Sequence, residues 1–409
     1  MNRIASAKSA SGFEPRNTLC PACRAGELYP FYELRGVPAN SCLLFDTREA
    51  AVDCVKGDIA LNFCMRCGFI HNAAFDARKT EYSGRYEETQ GFSPTFSRFH
   101  RDLAARLIER YDLRGKRILE IGCGKGEFLL LLAELGGCEG VGIDPSARQD
   151  RIAAAPGADS VTLITEYYRE DHGAQGADAV VCKMTLEHIS EPFEFVSTIR
   201  RGLDAHPNTV VFFQIPEALR ILKTCAFEDI YHEHCSYFTP SSLEGLFRRC
   251  GFHVRAVGTE YDEQYLTIEA FPTGKAGQAD AASPDEVDLA SLDDLVRSFP
   301  ERVAQAQASW RKLVLDTKSA GQRVLLWGSG SKTVSFMSTL GLGDVIDDVV
   351  DVNPYRQGHY MPGSGQRILA PSEIPNVAPD LVIVMNRIYE PEITSCLHGL
   401  GCRPRIASL

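Results

Sequence analysis

Long apolar runs are missing from this sequence. No window approaches the roughly 18 uninterrupted apolar residues that a membrane-spanning helix needs, so no membrane association is expected. An excess of positive charge is missing too: 43 Lys and Arg stand against 54 Asp and Glu, a net charge of −11. That balance argues against a protein that lives on nucleic-acid phosphates or an anionic lipid surface. The opening residues, Met1-Asn2-Arg3-Ile4-Ala5-Ser6-Ala7-Lys8, hold no apolar stretch that would serve as a signal peptide, and a cytoplasmic address is expected. In a reducing compartment the 14 cysteines are not a disulfide framework. They are metal ligands, reactive thiols or small buried hydrophobes. Four fall into two Cys-x-x-Cys pairs. The scattered ones, among them Cys42, Cys54, Cys138, Cys182 and Cys250, are expected to be packing residues.

What is present is the composition of a globular protein, 44% hydrophobic and 24% charged, in a chain of 409 residues that is too long for one ordinary core. Residues 1–18 read as a tail. Residues 19–85 hold short apolar runs, turn residues and the cysteine pairs, the pattern of a small metal-stapled module. Over 86–272 strands and helices alternate, which implies an α/β domain with a doubly wound, largely parallel sheet. Its expected elements are strands Arg117–Ile121, Gly140–Ile143, Ala179–Cys182 and Thr209–Ile215, helices Glu127–Leu135 and Pro192–Leu203, and two late strands, His253–Val257 and Gln264–Phe271. Thr239 and Pro240 open a further helix that Gly251 closes. Residues 273–290, rich in Gly, Ala, Asp, Ser and Pro, read as a linker. Over 291–409 the alternation resumes in a second, smaller α/β domain.

The strongest chemical signal is Ile118-Leu119-Glu120-Ile121-Gly122-Cys123-Gly124-Lys125-Gly126. These glycines end a strand and open a helix, where the backbone can approach a ligand and free N–H groups face it. The Gly-x-Gly-x-Gly spacing differs from the dinucleotide Gly-x-Gly-x-x-Gly, and an acidic residue, Glu120, precedes it. Asp144 ends the next strand, placed to accept from both hydroxyls of a ribose. The combination resembles the class I S-adenosylmethionine-dependent methyltransferases, and Glu120, Gly122, Gly124, Gly126 and Asp144 match their cofactor motifs, with Cys123 inside the turn. Met184-Thr185-Leu186-Glu187-His188-Ile189 follows the fourth strand, where that class commonly has Leu-Glu-His.

Cys20-Pro21-Ala22-Cys23 and Cys64-Met65-Arg66-Cys67 bring four soft ligands within reach of one ion, the set of a closed structural zinc site. Their separation requires a hairpin inserted between the pairs. Tyr231-His232-Glu233-His234-Cys235-Ser236-Tyr237-Phe238 gathers two histidines, a carboxylate and two tyrosines after the fifth strand, where the loops of a doubly wound sheet face the ligand crevice. Histidine suits a general base near neutral pH. The C-terminal domain offers Trp327-Gly328-Ser329-Gly330-Ser331-Lys332, a glycine turn into a helix. It lacks the third glycine of the dinucleotide fingerprint, since position 333 is Thr, although Asp351 ends the next strand and keeps a nicotinamide-cofactor reading in view. An anion held by Lys332 and the Ser329 and Ser331 N–H groups is the favoured use.

The cysteine pairs, the glycine motif, Tyr-His-Glu-His and a C-terminal Val350-Asp351-Val352-Asn353-Pro354…Gln357-Gly358…Pro362-Gly363 are similar, in that order, to the sugar C-methyltransferases, which methylate deoxysugar nucleotides. The resemblance covers the chain from Cys20 onward. It implies an N-terminal zinc-binding domain, a central methyltransferase domain and a C-terminal Rossmann-like domain that carries no dinucleotide. It further implies His234 as the base, with Tyr231, Glu233 and His188 around a small-molecule acceptor. A tyrosine from the N-terminal region joins them, Tyr82 and Tyr86 being the candidates and Tyr86 the one grouped with the site. The expected reaction is C-methylation of a keto-sugar nucleotide or a similar small anionic acceptor. An O- or N-methyltransferase, and a non-catalytic S-adenosylmethionine-binding scaffold, are the alternatives. The chain departs from that family's pattern at Asp262-Glu263-Gln264-Tyr265-Leu266 and at Val384-Met385-Asn386-Arg387-Ile388-Tyr389.

Overall fold

The computed structural model describes residues 18–273 and 286–409, so the expected tail 1–18 lies outside it but for residue 18, as do residues 274–285 of the expected linker. Three strands open the chain: β1 (Leu28–Pro38), β2 (Lys56–Cys64) and β3 (Ile70–Asn72). The antiparallel β1–β2 pair, with helix Arg48–Val52 between them, is the hairpin that the spacing of the cysteine pairs requires. Both Cys-x-x-Cys turns close in the same way. Arg24 and Gly68, each following a second cysteine, take left-handed φ of 64° and 73°, and their N–H groups donate to Cys20 O at 2.8 Å and Cys64 O at 2.9 Å. Four sulfurs converge as a result. Cys20 and Cys67 Sγ lie 3.7 Å apart, Cys23 and Cys64 Sγ 3.6 Å apart.

The central domain supplies β4 (Arg117–Ile121), β5 (Glu139–Ile143), β6 (Val161–Ile164), β7 (Ala179–Lys183), β8 (Val210–Pro216), β9 (Ser236–Tyr237), β10 (Phe252–Glu260) and β11 (Tyr265–Pro272). Seven of these form one sheet in the order β10-β11-β8-β7-β4-β5-β6, with β6, β5, β4, β7 and β8 mutually parallel and β11 running against β8. The strand order reverses at β4, so the loop that leaves β4 opens at the switch point where ligands of open α/β sheets bind. Helix Pro94–Tyr111 covers this end, started by Ser93, whose hydroxyl accepts from Phe96 N–H, and by Pro94. Helix Pro240–Arg249 is capped by Thr239 as the sequence leads one to expect.

β9 leaves the central sheet. It pairs with β3 (Ile70 with Tyr237, His71 with Ser236), so the N-terminal sheet takes its fourth strand from the middle of the chain. Phe238 then packs on Phe69 with ring centroids 4.8 Å apart, and Cys20, Cys64 and Cys67 share one core with Phe213 and Val180. The cysteine module is therefore welded to the central domain by common apolar burial, and does not sit apart from it.

Helix Glu286–Ser319 begins inside the expected linker and lays Phe299 edge-on against Phe31 and Tyr32 of β1. Beyond it, β12 (Val324–Trp327), β13 (Asp348–Val350), β14 (Ile368–Leu369), β15 (Leu381–Val384) and β16 (Arg405–Ser408) form an all-parallel sheet in the order β14-β13-β12-β15-β16. β13 is preceded by a turn in which Val345 and Ile346 N–H both donate to Leu342 O. No described helix is long and apolar enough to cross a membrane.

Candidate active site

The loop after β4 positions the first group of expected residues. Gly122, Gly124 and Gly126 all take left-handed φ, of 70°, 52° and 80°. A Cβ on Gly122 would run into the Thr185 hydroxyl, and one on Gly124 would lie 2.5 Å from Glu88 Oε1, so both glycines are required by close approach as well as by φ. Helix Glu127–Gly136 starts with no side-chain cap, which leaves its first N–H groups for a ligand. Asp144 is held rigid: Oδ2 accepts from Gly124 N–H at 3.0 Å, Oδ1 from Ser146 N–H at 2.6 Å and from Ser146 Oγ at 2.7 Å.

Glu120, Gly122, Cys123, Gly124 and Asp144 line one cavity of about 720 Å³, and so do Tyr82, Tyr86, His188, Tyr231 and His234. The expected cofactor residues and the expected acceptor residues thus meet in a single space. Two expected residues do not line it. Gly126 lies behind the loop, where a Cβ would press on Leu163. Glu233 is buried at 1% exposure, and its carboxylate accepts from Asn40 Nδ2 (3.1 Å), Ser41 N–H (2.9 Å), Ser41 Oγ and Tyr86 OH (3.0 Å). Its partners all come from the first 86 residues. His232 turns away as well, packing on Phe75 at a tilt, with Nδ1 2.9 Å from Asp58 O.

The remaining acceptor-side groups contact one another. Tyr231 OH lies 2.9 Å from His234 Nε2, Tyr82 OH 2.9 Å from His188 Nδ1, and the two imidazoles meet edge to face. Burial pushes both imidazoles down from the ordinary histidine value, His234 well below it, with His188 and Lys332 adding to the effect there. Burial drives the Tyr82, Tyr86 and Tyr231 phenols up. Near neutral pH the site therefore holds uncharged imidazoles, which can accept protons, beside intact hydroxyls, which can donate them.

Two contributors, Lys183 and His100, escape the sequence reading, and a third, Glu187, enters it only as part of the Leu-Glu-His run. Lys183 ends β7 at 8% exposure, with Nζ 2.9 Å from His100 Nε2 and 4.1 Å from the centre of the Phe128 ring. Across the cavity from it, Glu120 Oε2 has no hydrogen-bond partner, and burial lifts its carboxyl to about 7. Glu187 is buried with both oxygens unpartnered and is raised to about 8, again mainly by burial. A lysine at the carboxyl end of a parallel strand was a usable signal. His100, one turn after Phe96 on a helix, carried none.

A second cavity of about 240 Å³ lies between the central and C-terminal domains, and Cys42, Glu88, Met184, Tyr231 and Ser331 line both. The C-terminal glycine turn opens onto it. Asp351 is spent within this turn, accepting from Ser329 N–H (2.7 Å), Ser329 Oγ (2.6 Å) and Asn353 N–H (2.8 Å). Lys332 and Arg220 share one carboxylate, that of Asp229, at 2.5 and 2.9 Å. The two stretches that depart from the family pattern meet here. Gln264 and Asn386 exchange both amide hydrogen bonds, at 3.1 and 2.7 Å, and Tyr261 lies within ring contact of Tyr389.

Comparison with known proteins agrees with this architecture. Residues 96–257 match the family model described as a methyltransferase domain, and residues 280–401 match that of the C-methyltransferase C-terminal domain. The C-methyltransferase NovU of Streptomyces niveus is 25% identical over 323 residues, covering 76% of each chain. A ubiquinone biosynthesis O-methyltransferase of Marinobacter nauticus is 31% identical over 174 residues, 36% of this chain and 68% of that protein. Among solved structures, an O-methyltransferase family protein from Burkholderia thailandensis covers 44% of this chain and 57% of its own at 17% identity and a TM-score of 0.37. The chain belongs to the class I S-adenosylmethionine-dependent methyltransferases that carry a C-methyltransferase C-terminal domain. It is an S-adenosylmethionine-dependent methyltransferase.

Proposed function

We propose that this enzyme methylates a carbon beside the carbonyl of a keto-sugar nucleotide or a similar small anionic acceptor, with His234 as the base. The observation that carries the reading is Tyr231, whose hydroxyl lies 2.9 Å from His234 Nε2 and whose side chain lines both cavities. The larger cavity then holds the donor, the smaller one the acceptor, and the Tyr231–His234 pair stands where they join.

The residues present fit S-adenosylmethionine. The glycine loop leaves room that a Cβ would fill, and Asp144, held by three donors, retains acceptor capacity for ribose hydroxyls. Glu120 and Lys183 are opposite charges in one buried cavity that do not pair with each other. A zwitterion satisfies both, so Glu120 holds the α-ammonium of the donor's amino-acid end and Lys183, backed by His100, holds the α-carboxylate. Bound S-adenosylmethionine supplies a methyl group on a positively charged sulfur, ready for attack by an electron-rich carbon.

The protein's task is to make that carbon nucleophilic and aim it. Tyr231 passes its hydroxyl proton to His234 as it takes up the acceptor's α-proton, leaving an enolate in the mouth of the donor cavity. The imidazole can receive the proton because burial keeps it neutral. Glu233 acts by position: it orders Tyr86 and the segment Asn40–Ser41 against the loop that carries His234. Arg220 and Lys332 share the Asp229 carboxylate beside the free N–H groups that open helix Ser331–Leu340. An acceptor phosphate or carboxylate is held there.

The cysteine cluster takes structural zinc. Tetrahedral thiolates at Zn–S distances of about 2.3 Å lie roughly 3.8 Å from one another, and the sulfurs of Cys20 and Cys67 and of Cys23 and Cys64 already stand at 3.7 and 3.6 Å. The ion crosslinks the two turns and so anchors the sheet that presents Asn40, Ser41 and Tyr86.

Metal analysis of the purified protein should find about one zinc per chain. Cys64→Ser should lose it together with a cooperative part of the thermal transition; metal-free protein of unchanged Tm contradicts the assignment.

The donor grip separates two probes. Lys183→Met should weaken binding of S-adenosylhomocysteine by about 1.5–3 kcal/mol, roughly 10- to 150-fold, and leave 5′-methylthioadenosine, which has no amino-acid end, unaffected. Equal loss for both would place Lys183 in the fold and not in the grip.

His234→Ala should lower kcat about 10²–10⁴-fold on a nucleoside-diphosphate keto-sugar, with S-adenosylhomocysteine affinity unchanged. In the wild type the acid limb of the kcat/KM profile should fall below the ordinary histidine value of ~6.5, because burial lowers this group. An unchanged kcat, or an acid limb above that value, removes His234 from the role.

A further inference from the structure

Glu187 is left without an explanation by the reaction just described. It is 2% exposed, neither carboxylate oxygen has a hydrogen-bond partner among the described residues, and it lines the donor cavity beside His188 and His234. A buried carboxyl group in that state calls for a cation or a donor. No described neighbour supplies either within hydrogen-bond distance.

The geometry of the three side chains is that of a ligand set. One ligand atom from each of Glu187, His188 and His234 lies within 4.8 Å of the other two. Glu187 Oε1 stands 4.0 Å from His234 Nε2, too far for a hydrogen bond. Two ligands each bound at about 2.1 Å lie roughly 3–4 Å apart across their ion, so this gap is one an ion would span. Tyr82 bonds His188 Nδ1 at 2.9 Å, the kind of outer support that leaves Nε2 to an ion, whereas Tyr231, 2.9 Å from His234 Nε2, gives up that nitrogen when the ion enters. The cavity leaves the remaining coordination positions to water or substrate oxygen.

We infer that Glu187, His188 and His234 form a second metal site, open and distinct from the cysteine cluster, which takes a divalent transition ion and silences the base when filled. Two imidazoles and one carboxylate favour Zn²⁺, Co²⁺ or Ni²⁺ over Mg²⁺ or Ca²⁺, which prefer all-oxygen sets. An imidazole bound to a dication has lost the lone pair that would take a proton, and the adjacent charge opposes protonation of the ring. Methyl transfer and metal occupancy therefore exclude each other at this position. The silencing part rests on His234 being the base; the binding part does not.

The test titrates Co²⁺ into full-length protein that holds zinc in its cysteines and has been washed free of loosely bound metal with EDTA. Wild type should take up one Co²⁺ per chain, with visible d–d absorption but no thiolate charge-transfer band. Glu187→Ala should bind it at least about tenfold more weakly, with unchanged S-adenosylhomocysteine affinity as the control for folding. Turnover of a nucleoside-diphosphate keto-sugar by wild type should fall in step with Co²⁺ occupancy and return with EDTA. No Co²⁺ uptake beyond the zinc, uptake untouched by Glu187→Ala, or turnover that holds or rises as the site fills would overturn the inference. If His234→Ala leaves metal-free turnover intact, the base assignment fails by itself, and Co²⁺ binding still decides the site.

Discussion

The molecule is organised around one buried anion. Glu233 has almost no contact with solvent, so its charge must be met by protein donors, and every one of them comes from the N-terminal region: Asn40, Ser41 and Tyr86. Ser331 Oγ in turn donates to Ser41 Oγ at the mouth of the C-terminal glycine turn. A single carboxylate thus makes three domains register with one another, and it does so at the wall shared by the two cavities. Breaking such a cluster from one side leaves buried groups unpaired, which is far more costly than never having formed it. The cysteine cluster and the pairing of β3 with β9 hold the donors where that carboxylate needs them.

From this junction the charge layout of the site follows. Each chamber is lined by ionic groups, and in each their state differs. In the larger one Glu120 and Lys183 are buried, opposite in sign and not joined, the state of a site waiting for a zwitterion. In the smaller one Arg220 and Lys332 already share Asp229, beside the free amides that open helix Ser331–Leu340. Between them stand groups that burial keeps neutral, two imidazoles and three phenols. Proton transfer is favoured in such a zone because burial leaves the imidazoles able to accept protons and the phenols able to donate them.

Much of this was legible in the residues, and what was not has a physical reason. The glycine motif, Asp144, the cysteine pairs and the Thr239 cap are local signals, set by φ, spacing or a neighbouring N–H, and the structure places each accordingly. Short strands such as β6, β14 and β16 carry too few residues for a periodic pattern to show. β9 pairs with a strand more than 160 residues away, which no local pattern can announce. His100 matters through its contact with Lys183 in space, so a sequence scan passes over it. Glu233, grouped by resemblance with the acceptor residues, instead faces the N-terminal region with both oxygens committed. The departures at 262–266 and 384–389, separate in the chain, are one surface in space: Gln264 and Asn386 bind each other on the wall of the smaller cavity.

The central claim is that the acceptor's carbon, made nucleophilic by the Tyr231–His234 pair, receives the methyl group. It is tested most directly by supplying donor labelled with ¹³C in the methyl group together with a nucleoside-diphosphate keto-sugar, and reading the product by carbon NMR. The account predicts a new high-field resonance of a methyl group bound to carbon, coupled to the neighbouring ring carbon in ¹³C-labelled sugar. A methyl resonance at the low-field position of an ether or ester, without that coupling, would contradict it.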